Sequence, residues 1–422
     1  MDKKVSKSKN GLHGEFTIPS DKSISHRAVM LTSLAKGKSI IKNFSNGADP
    51  NSTLKIFKNL GVEFNFKSDL EVTSNGTLTQ SSNPLNCDNS GTTMRLLSGI
   101  LAGQNFNSIL IGDESLSKRP MKRIIEPLSQ MGANIISNDN KAPLKIFGQY
   151  LNGIDYKTPI ASAQVKSAII LAGLFADGKT TVTEPSLSRN HTELMLSYMG
   201  ANIISANTST TIQKSQLEPK TINIPGDISS AAYFIAAGLI VPNSKLILKN
   251  VGLNPTRTGI LDVLETMGAN IQILEKTSVC NELVGDIQIK SSELTGCEIG
   301  GDLIPRLIDE IPIIAVIATQ ASGITTIKDA QDLRNKESDR IKAVVEELKK
   351  LGANIEETSD GMIIHGKTPL KGNSEVETYH DHRLAMSLYV AGLICEKEIL
   401  IKDFDWVNIS FPEFESLFNS TL

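Results

Sequence analysis

The sequence predicts an α/β fold of six repeats, and two recurring phrases lead to this prediction. The first is an amphipathic helix pattern that ends in glycine before the start of a strand, and it occurs as LGVEF, MGANIIS, MGANIIS, MGANI and LGANI. Glycine directly after a helix commonly terminates it. The clearest helix pattern runs from Lys336 to Leu351, where Ile341, Val345 and Leu348 share one face.

The second phrase is a helix rich in small residues, followed by a polar break and a β-branched strand. It occurs six times, beginning SISHRAVM, SGTTMRLL, SAQVKSAI, DISSAAYF, LIDEIPII and DHRLAMSL. Helices that are apolar on most sides are buried, so we expect these six inside and the amphipathic helices outside. The last amphipathic helix, SFPEFESLF, ends the chain without a following strand. We therefore expect the N-terminal segment to supply the missing strand.

Two nearly identical junctions divide the repeats into two lobes of three. The first, IPSD, ends at Asp21, and the second, IPGD, ends at Asp227. The predicted lobes are 20–225, and 1–19 plus 226–422. An open solenoid is the alternative for a repetitive chain, but units that mix helix with strand and a pair of matching junctions disfavour it.

Composition excludes several classes of protein. The chain has 422 residues, with 46 acidic and 43 basic side chains and a net charge of −3, so no global basic field exists to hold nucleic acid. Its four cysteines are far apart, and their spacing indicates reduced thiols rather than disulfides or a metal site. The N-terminus lacks the apolar stretch of a signal peptide, and no apolar run approaches a membrane span. We expect a cytoplasmic monomer without membrane or nucleic-acid partners.

Polar and cationic residues recur at the predicted helix starts. A helix N-terminus carries a partial positive charge, so cations there are unfavourable unless an anion binds. Each residue alone is explained by ordinary capping or solvation, but recurrence at equivalent repeat positions indicates a cationic cleft between the lobes for small multi-anionic ligands. These residues are Lys22, Ser23 and Arg27; Asn89, Ser90, Gly91, Thr92 and Arg95; Arg119; Ser162, Gln164 and Lys166; Arg189; Lys336 and Arg340; and His382 and Arg383.

Carboxylates among these cations are candidates for proton transfer. Asp309 and Glu310 lie in LIDEIP, and Glu337 lies between Lys336 and Arg340. Neighbouring cations and a dry cleft tune carboxylates for acid/base work. The structural alternatives are a helix N-cap for Asp309 and a first-turn acid favoured by the helix dipole for Glu337. The HDH motif has no apparent third ligand, so we expect no metal.

Nine motifs in order along almost the full chain resemble the 5-enolpyruvylshikimate-3-phosphate synthase family. They are DKSISHR, NSGTTMRLL, SKRPM, SAQVKSA, EPSLSRNHTE, IPRLIDEIP, RNKESDR, HDHRLAMS and SFPEF. Three of them, SAQVKSA, SRNHTE and LIDEIP, are similar to the branch related to glyphosate-tolerant bacterial enzymes. The resemblance implies the enolpyruvyl transferase fold, a two-lobed inside-out α/β barrel of six βαβαββ repeats, with the active site in the interlobe cleft.

The resemblance also implies the reaction and the roles of residues. The expected reaction transfers the enolpyruvyl group of phosphoenolpyruvate to the 5-hydroxyl of shikimate 3-phosphate, through a tetrahedral intermediate and without a cofactor. Asp309 would accept the hydroxyl proton, and Glu337 with Lys22 would protonate the methylene carbon. The implied shikimate 3-phosphate residues are Lys22, Ser23, Arg27, Ser162, Gln164, Arg189, Asp309 and Lys336. The implied phosphoenolpyruvate residues are Lys22, Asn89, Gly91, Arg119, Gln164, Arg340 and Arg383.

The chain departs from the family pattern at several positions. The usual NAGTA is NSGTT here, which introduces Ser90 and Thr93, and Ile409 stands where many relatives have Lys. Asn190 replaces the Asp of SRDHTE. Two alternatives stay open: UDP-N-acetylglucosamine enolpyruvyltransferase, which normally has Lys-Asn at the DKS position and a loop Cys, and a non-catalytic anion-binding repeat scaffold.

Overall fold

The computed structural model describes all residues, Met1–Leu422, and divides into two compact units. Unit 1 comprises Met1–Pro19, Pro225–Thr277 and Leu283–Leu422, and unit 2 comprises Ser20–Ile224 and Ser278–Glu282. The short segment Ser278–Glu282 differs from the predicted division, which placed it in the other lobe. It groups with unit 2 because Glu282 contacts His191 Nδ1 at 2.6 Å, and because the backbone N–H of Asn223 points to the sulfur of Cys280.

Strands and helices alternate along the chain. The strands are β1 (Lys3–Val5), β2 (His13–Thr17), β3 (Lys36–Lys42), β4 (Glu63–Phe66), β5 (Leu70–Asn75), β6 (Leu85–Asn86), β7 (Asn107–Ile111), β8 (Asn134–Asn138), β9 (Lys141–Phe147), β10 (Asp155–Lys157), β11 (Lys179–Thr183), β12 (Ile203–Ala206), β13 (Ser209–Gln213), β14 (Thr221–Asn223), β15 (Lys245–Gly252), β16 (Asn270–Val279), β17 (Glu282–Lys290), β18 (Glu298–Ile299), β19 (Gly323–Ile327), β20 (Asn354–Glu357), β21 (Met362–Gly366), β22 (Glu375–Val376) and β23 (Ile399–Ile401). The α-helices are α1 (Lys22–Leu34), α2 (Ala48–Asn59), α3 (Gly91–Ala102), α4 (Glu114–Lys118), α5 (Lys122–Gln130), α6 (Ala163–Gly173), α7 (His191–Tyr198), α8 (Ile228–Ile240), α9 (Gly259–Thr266), α10 (Ile304–Leu307), α11 (Ile311–Gln320), α12 (Arg340–Lys350), α13 (His382–Gly392) and α14 (Phe414–Asn419). Four short 3₁₀ turns complete the set: Gly301–Leu303, Ile308–Glu310, Gln331–Asn335 and Phe404–Ile409.

The strands form six open sheets, none of which closes on itself. Unit 2 contains sheets of order β14-β3-β5-β4, β6-β7-β9-β8 and β10-β11-β13-β12, and unit 1 contains β16-β17-β15-β2, β18-β19-β21-β20 and β1-β23-β22. In the sixth sheet, β1 pairs antiparallel with β23, with Lys3 opposite Ile401. The N-terminal strand therefore takes the place that β21 has beside β19 in the fifth sheet. The fold is mixed α/β, as the repeats predict.

The six helices rich in small residues lie in the interior, as predicted. Every residue of α13 is buried, as is every residue of α8 except Ile240, and α1 is buried from Ile24 to Leu34. Each unit has its own apolar core around three such helices. The amphipathic helices bury only one face: α12 buries Ile341, Val344, Val345 and Leu348 but exposes Lys349.

Glycines end the amphipathic helices as the sequence predicts. Gly61, Gly132, Gly200, Gly268 and Gly352 follow α2, α5, α7, α9 and α12 with φ between +82° and +98°. Side chains rarely adopt this left-handed backbone, so glycine ends the helix at low cost. The start of α12 differs from the prediction: the helix begins at Arg340 rather than at Lys336, because the Asp339 carboxylate accepts a hydrogen bond from the Lys342 amide and caps it there.

All four cysteines are free thiols. Burial raises the pKa of Cys87 and of Cys297, and raises that of Cys395 to about 12. At neutral pH these three are therefore protonated and poor nucleophiles. None of the helices is both long and apolar enough to cross a membrane.

Candidate active site

The start of α1 places Lys22, a predicted ligand group, beside a carboxylate on α2. Asp21 caps the helix by accepting a hydrogen bond from the Ile24 amide at 2.8 Å. Lys22 and Ser23 follow in the first turn and are partly buried. The Lys22 ammonium lies 3.0 Å from Asp49 Oδ2, in the first turn of α2. This ion pair holds the Lys22 ammonium at the N-terminal ends of two neighbouring helices, α1 and α2.

Arg27, one turn further into α1, links three helices of unit 2. Its guanidinium donates to Thr192 Oγ1 at 2.7 Å and to Ser167 Oγ at 3.0 Å, which lie on α7 and α6. It also donates to the carbonyl of Ser23 at 3.0 Å. Only 3% of Arg27 is exposed. Its geometry indicates that it orders the Ser23 turn, and direct contact with shikimate 3-phosphate stays a prediction.

The start of α3 brings together the residues predicted for phosphoenolpyruvate in this unit. Arg119 donates to Asn89 Oδ1 at 2.9 Å, and the Asn89 amide donates to Asp113 at 2.7 Å. A Cβ added to Gly91 would lie 2.9 Å from Arg95 Nη1 and 3.3 Å from Arg119 Nη1. Two guanidiniums therefore crowd the first residue of α3, where unpaired backbone N–H groups favour an anion.

Gln164, at the start of α6, joins this group from a second helix. Its Oε1 accepts a hydrogen bond from Arg95 at 2.6 Å, and its Nε2 donates to Thr92 Oγ1 at 3.1 Å. The sequence analysis placed Thr92 and Arg95 among the polar and cationic helix starts but, unlike Gln164, assigned neither to a substrate. Ser162, the N-cap of α6, donates its backbone N–H to Glu184 at 3.0 Å.

Lys166 does not belong to the cationic face that the sequence predicted. Its ammonium is buried, with Glu184 and Glu193 each at 2.8 Å. Burial alone would lower its pKa, but the two carboxylates raise it overall. The chain therefore neutralises this cation internally, and Lys166 stabilises the turn that contains Ser188, whose hydroxyl donates to Glu184.

Arg119 and Arg189 lie outside the first turn of a helix. Arg119 ends the short helix α4, and α5 begins only at Lys122. Pro120 therefore lies in the connection rather than in a first helical turn. Arg189 is partly buried and precedes Asn190, the N-cap of α7.

In unit 1, the guanidinium of Arg340 contacts both carboxylates predicted for proton transfer. It donates to Glu337 Oε2 at 2.6 Å and lies 3.4 Å from Asp309 Oδ1. It also donates to Asp381 Oδ2 at 2.7 Å. Burial would lower the pKa of Arg340, but Asp381 and Glu337 raise it. Asp381 is fully buried, and although burial raises a carboxyl pKa, Arg340 holds that of Asp381 below its usual value.

Arg383, in the first turn of α13, lies next to the same carboxylates. Its Nη2 is 3.7 Å from Asp309 Oδ2, and its Nη1 is 3.8 Å from Glu310 Oε1. Asp381 caps α13 by accepting from the Arg383 amide at 2.9 Å. Asp309 is not an N-cap, because it lies in the 3₁₀ turn and Glu310 occupies the N-cap position of α11. Glu337 likewise precedes α12 and is no first-turn acid.

A buried group behind Arg383 was missed by the sequence analysis. Arg257 donates to Ser229 Oγ at 2.6 Å and to Asp227 at 3.2 Å, and Ser229 hydrogen-bonds Glu310. Glu310 was visible in LIDEIP beside Asp309, but Arg257 lies in NPTRTG, which no motif marked. The sequence feature that could have indicated Arg257 is an arginine next to the polar start of a helix in the fourth repeat.

Lys336 and the HDH motif contain the remaining candidate residues of unit 1. Lys336 is partly buried, and its ammonium lies 3.5 Å from Asp332. The HDH residues diverge: His380 stacks on Trp406, while Asp381 binds Arg340. No group of three His, Cys, Asp or Glu side chains is arranged to hold a metal ion.

Comparison with solved structures shows that the fold carrying these two clusters of arginine, lysine and carboxylate is that of the enolpyruvyl transferases. The chain is similar to the enolpyruvyl transferase NikO of Streptomyces tendae with a TM-score of 0.81 over 99% of this chain and 96% of that one, at 15% identity, which shows the fold alone. It is similar to EPSP synthase from Acinetobacter baumannii with a TM-score of 0.89 and 40% identity, covering 100% of this chain and 98% of that one.

Sequence comparison identifies the family. Residues 6–418 match the model of EPSP synthase (3-phosphoshikimate 1-carboxyvinyltransferase). A 3-phosphoshikimate 1-carboxyvinyltransferase of Thermoanaerobacter sp. (strain X514) is 54% identical, over 99% of this chain and 100% of that protein. The chain belongs to the EPSP synthase family.

Proposed function

We propose that this protein transfers the enolpyruvyl group of phosphoenolpyruvate to the 5-hydroxyl of shikimate 3-phosphate and releases phosphate. The observation that supports this most directly is that Asp309 and Glu337 meet at one guanidinium, that of Arg340, in a chain that matches the family along its whole length. The reaction serves aromatic amino-acid biosynthesis through the shikimate pathway. A monomeric state and a cytoplasmic location stay predictions.

The addition step needs one base and one acid. Asp309 accepts the proton of the 5-hydroxyl as its oxygen bonds to C2 of phosphoenolpyruvate, while Glu337, with Lys22, delivers a proton to the methylene carbon. In the elimination step the bond from C2 to the phosphate oxygen breaks and phosphate leaves, the new methyl group returns a proton to the Glu337 carboxylate, and the double bond returns.

The ion pairs of unit 1 must rearrange for this chemistry. A carboxylate in contact with a guanidinium is stabilised in its ionised form, so Glu337 as it stands beside Arg340 is a better proton acceptor than donor. Phosphoenolpyruvate carries anionic groups that compete for Arg340. Its binding would release Glu337 from the guanidinium and allow it to take up the proton that it later donates.

In unit 2, the cluster of Arg119, Arg95 and Gln164 around Gly91 provides the anion site. Guanidinium groups match carboxylate and phosphate oxygens in a fixed fork, and the start of α3 adds backbone donors. We assign Asn89, Gly91, Arg119 and Gln164 to phosphoenolpyruvate, together with Arg340 and Arg383. Lys22, Ser23, Arg27, Ser162, Gln164, Arg189, Asp309 and Lys336 are assigned to shikimate 3-phosphate.

A phosphate-release assay tests the proposal. We expect release only when shikimate 3-phosphate and phosphoenolpyruvate are both present, with the enolpyruvyl ether identified by mass spectrometry. UDP-N-acetylglucosamine in place of shikimate 3-phosphate should give no release. Release with the nucleotide sugar alone as acceptor would favour the other enolpyruvyl transferase, and no release with either acceptor would favour a non-catalytic scaffold.

A further inference from the structure

We infer that His26, Thr53, Thr93 and Ser90 form a buried chain of hydrogen bonds, the hydroxyl relay, that positions the start of α3 for phosphoenolpyruvate. His26 Nδ1 lies 2.7 Å from Thr53 Oγ1, Thr53 Oγ1 lies 2.7 Å from Thr93 Oγ1, and Thr93 Oγ1 lies 2.7 Å from Ser90 Oγ. The inference rests on the proposed function, since it concerns the substrate that binds at Gly91.

The relay connects three helices of unit 2, which are α1, α2 and α3. His26 lies four residues after Lys22 on α1, and Thr53 lies four residues after Asp49 on α2. Residues four apart share a helix face, so the bond from His26 to Thr53 repeats the Lys22–Asp49 ion pair one turn deeper. The relay then continues to α3, and it ties the predicted substrate residues of α1 and α3 to one scaffold.

Ser90 is the point where the relay reaches the site. Its hydroxyl oxygen accepts a hydrogen bond from the Thr93 amide at 3.2 Å and caps α3. Its chain neighbours are Asn89 and Gly91, both predicted to contact phosphoenolpyruvate. A shift of the Ser90 turn therefore moves the backbone N–H groups that face the anion. Ser90 and Thr93 are also the residues at which this chain departs from the NAGTA pattern.

The tautomer of His26 sets the direction of the relay. His26 is fully buried, and burial, together with the cations Lys22 and Arg27, holds its pKa well below the usual value, so the ring is neutral. His26 Nε2 is buried without a hydrogen-bond partner. A buried N–H without an acceptor is more costly and rarer than a bare acceptor, so the proton lies on Nδ1.

With the proton on Nδ1, each hydroxyl donates toward α3. His26 donates to Thr53, Thr53 to Thr93, and Thr93 to Ser90, so the Ser90 hydroxyl hydrogen points out of the relay. The opposite direction would turn that hydrogen inward, toward Thr93. An anion at the start of α3 favours the first direction, because it offers an acceptor. These four side chains are positioning residues, since none of them accepts or donates a proton in the reaction.

The test removes the central hydroxyl without changing side-chain volume. Thr53→Val breaks the relay, whereas Thr53→Ser retains it. Thr32→Val is the matched control, because Thr32 is an equally buried threonine on α1 whose hydroxyl bonds only to backbone carbonyls of its own helix. We expect Thr53→Val to raise the KM for phosphoenolpyruvate about tenfold, with kcat and the KM for shikimate 3-phosphate within about twofold of wild type. Thr53→Ser and Thr32→Val should match wild type.

Amide hydrogen exchange without substrates gives a readout that does not depend on activity. A peptide that contains Ser90 to Leu97 should exchange faster in Thr53→Val than in Thr32→Val. If Thr53→Val does not fold, Thr93→Val breaks the relay at the next hydroxyl and takes its place. An unchanged KM for phosphoenolpyruvate, or an equal rise in both KM values, overturns the inference. A wild-type protein without activity would overturn the proposed function, and the exchange experiment would still decide whether the relay orders α3.

Nitrogen NMR of histidine-labelled protein tests the tautomer directly. We expect one histidine, identified by the loss of its signals in His26→Asn, to have a protonated Nδ1 and a bare Nε2. His26→Asn should retain the KM for phosphoenolpyruvate, since an asparagine amide can donate to Thr53 from the same place. A proton on Nε2 would contradict the proposed direction of the relay.

Discussion

Arginines near the helix starts have different partners in the two units. In unit 2, Arg27 and Arg95 donate to the hydroxyl oxygens of Thr192 and Ser167 and to the amide oxygen of Gln164. In unit 1, three arginines near helix starts contact carboxylates. They are Arg257 with Asp227, Arg340 with Asp309, Glu337 and Asp381, and Arg383 with Asp309 and Glu310.

This difference separates two tasks. A neutral oxygen orients a guanidinium without cancelling its charge. A carboxylate orients the guanidinium and also neutralises its charge. When a substrate anion binds the guanidinium instead, the carboxylate can take part in proton transfer. Under the proposed function, unit 2 therefore contributes mainly binding groups, and unit 1 contributes the groups proposed for proton transfer.

Removal of the carboxylates of unit 1 should have the largest effect on turnover. Asp309→Ala and Glu337→Ala should each lower kcat by about 10²–10⁴-fold, because each acts on a proton that moves in the transition state. Steady-state kinetics with both substrates measures this. For Glu337→Ala, the affinity for shikimate 3-phosphate should persist.

Glu356→Ala is the matched control, because this carboxylate is exposed on β20. It should leave kcat unchanged. Near-normal turnover in Asp309→Ala or Glu337→Ala would remove that residue from the mechanism and would weaken the division of tasks between the units.

The repeats made the fold predictable from sequence. The recurring glycines marked helix ends because only a residue without Cβ adopts their left-handed backbone easily, and small residues marked the buried helices. Helix starts were less predictable. The pattern of α12 extended to Lys336, but capping by Asp339 decided the boundary, and periodicity does not contain that information.

The candidate site was only partly predictable, since burial and pairing follow from tertiary contacts. Lys166 resembled the other cations in sequence, and only its two buried carboxylate partners exclude it from the anion face. The hydrogen bonds of Arg257 and Glu310 to Ser229 form only when α8 and α11 pack together. The hydroxyl relay joins residues from three helices, and no spacing along the chain marks it.

Removal of one guanidinium from unit 2 should weaken binding rather than chemistry. Arg119→Ala should raise the KM for phosphoenolpyruvate about 10–100-fold with a smaller change in kcat, because charge-assisted contacts to an anion are lost. Arg123→Ala, on the exposed part of α5, is the control and should leave both constants unchanged. A fall in kcat with an unchanged KM would assign chemistry to unit 2 and break the comparison.

A methyl group added at Gly91 tests whether this residue lines the anion site. The added Cβ would lie within 3.0 Å of Arg95 Nη1, so one guanidinium must shift by a few tenths of an ångström. The family resemblance places glyphosate in the phosphoenolpyruvate site, and the inhibitor is the longer molecule. In Gly91→Ala, we expect the inhibition constant to rise more than the KM, by about tenfold against a few-fold.

Inhibition measured at several phosphoenolpyruvate concentrations gives both constants for Gly91→Ala. Ser129→Ala, at an exposed position of α5, is the control for a general effect on the fold. Equal inhibition constants for wild type and Gly91→Ala would mean that Gly91 does not line the anion site.

The smallest expected effect concerns stability and the neutral histidine of unit 2. Because the pKa of His26 is held well below 6.5 in the folded protein, the unfolded chain takes up a proton there first as the pH falls. The stabilising contribution of neutral His26 is therefore complete above pH 7.5 and decreases below 6.5. His26→Asn removes this titration, so its free energy of unfolding should fall by about 1.4 kcal/mol less than that of wild type between pH 7.5 and 5.5.

Urea unfolding at the two pH values measures the difference, and His13→Asn, at an exposed position of β2, should behave as wild type. An equal loss of stability in His26→Asn and wild type would mean that the pKa of His26 is the same in the folded and the unfolded chain, so that the fold does not hold the ring neutral.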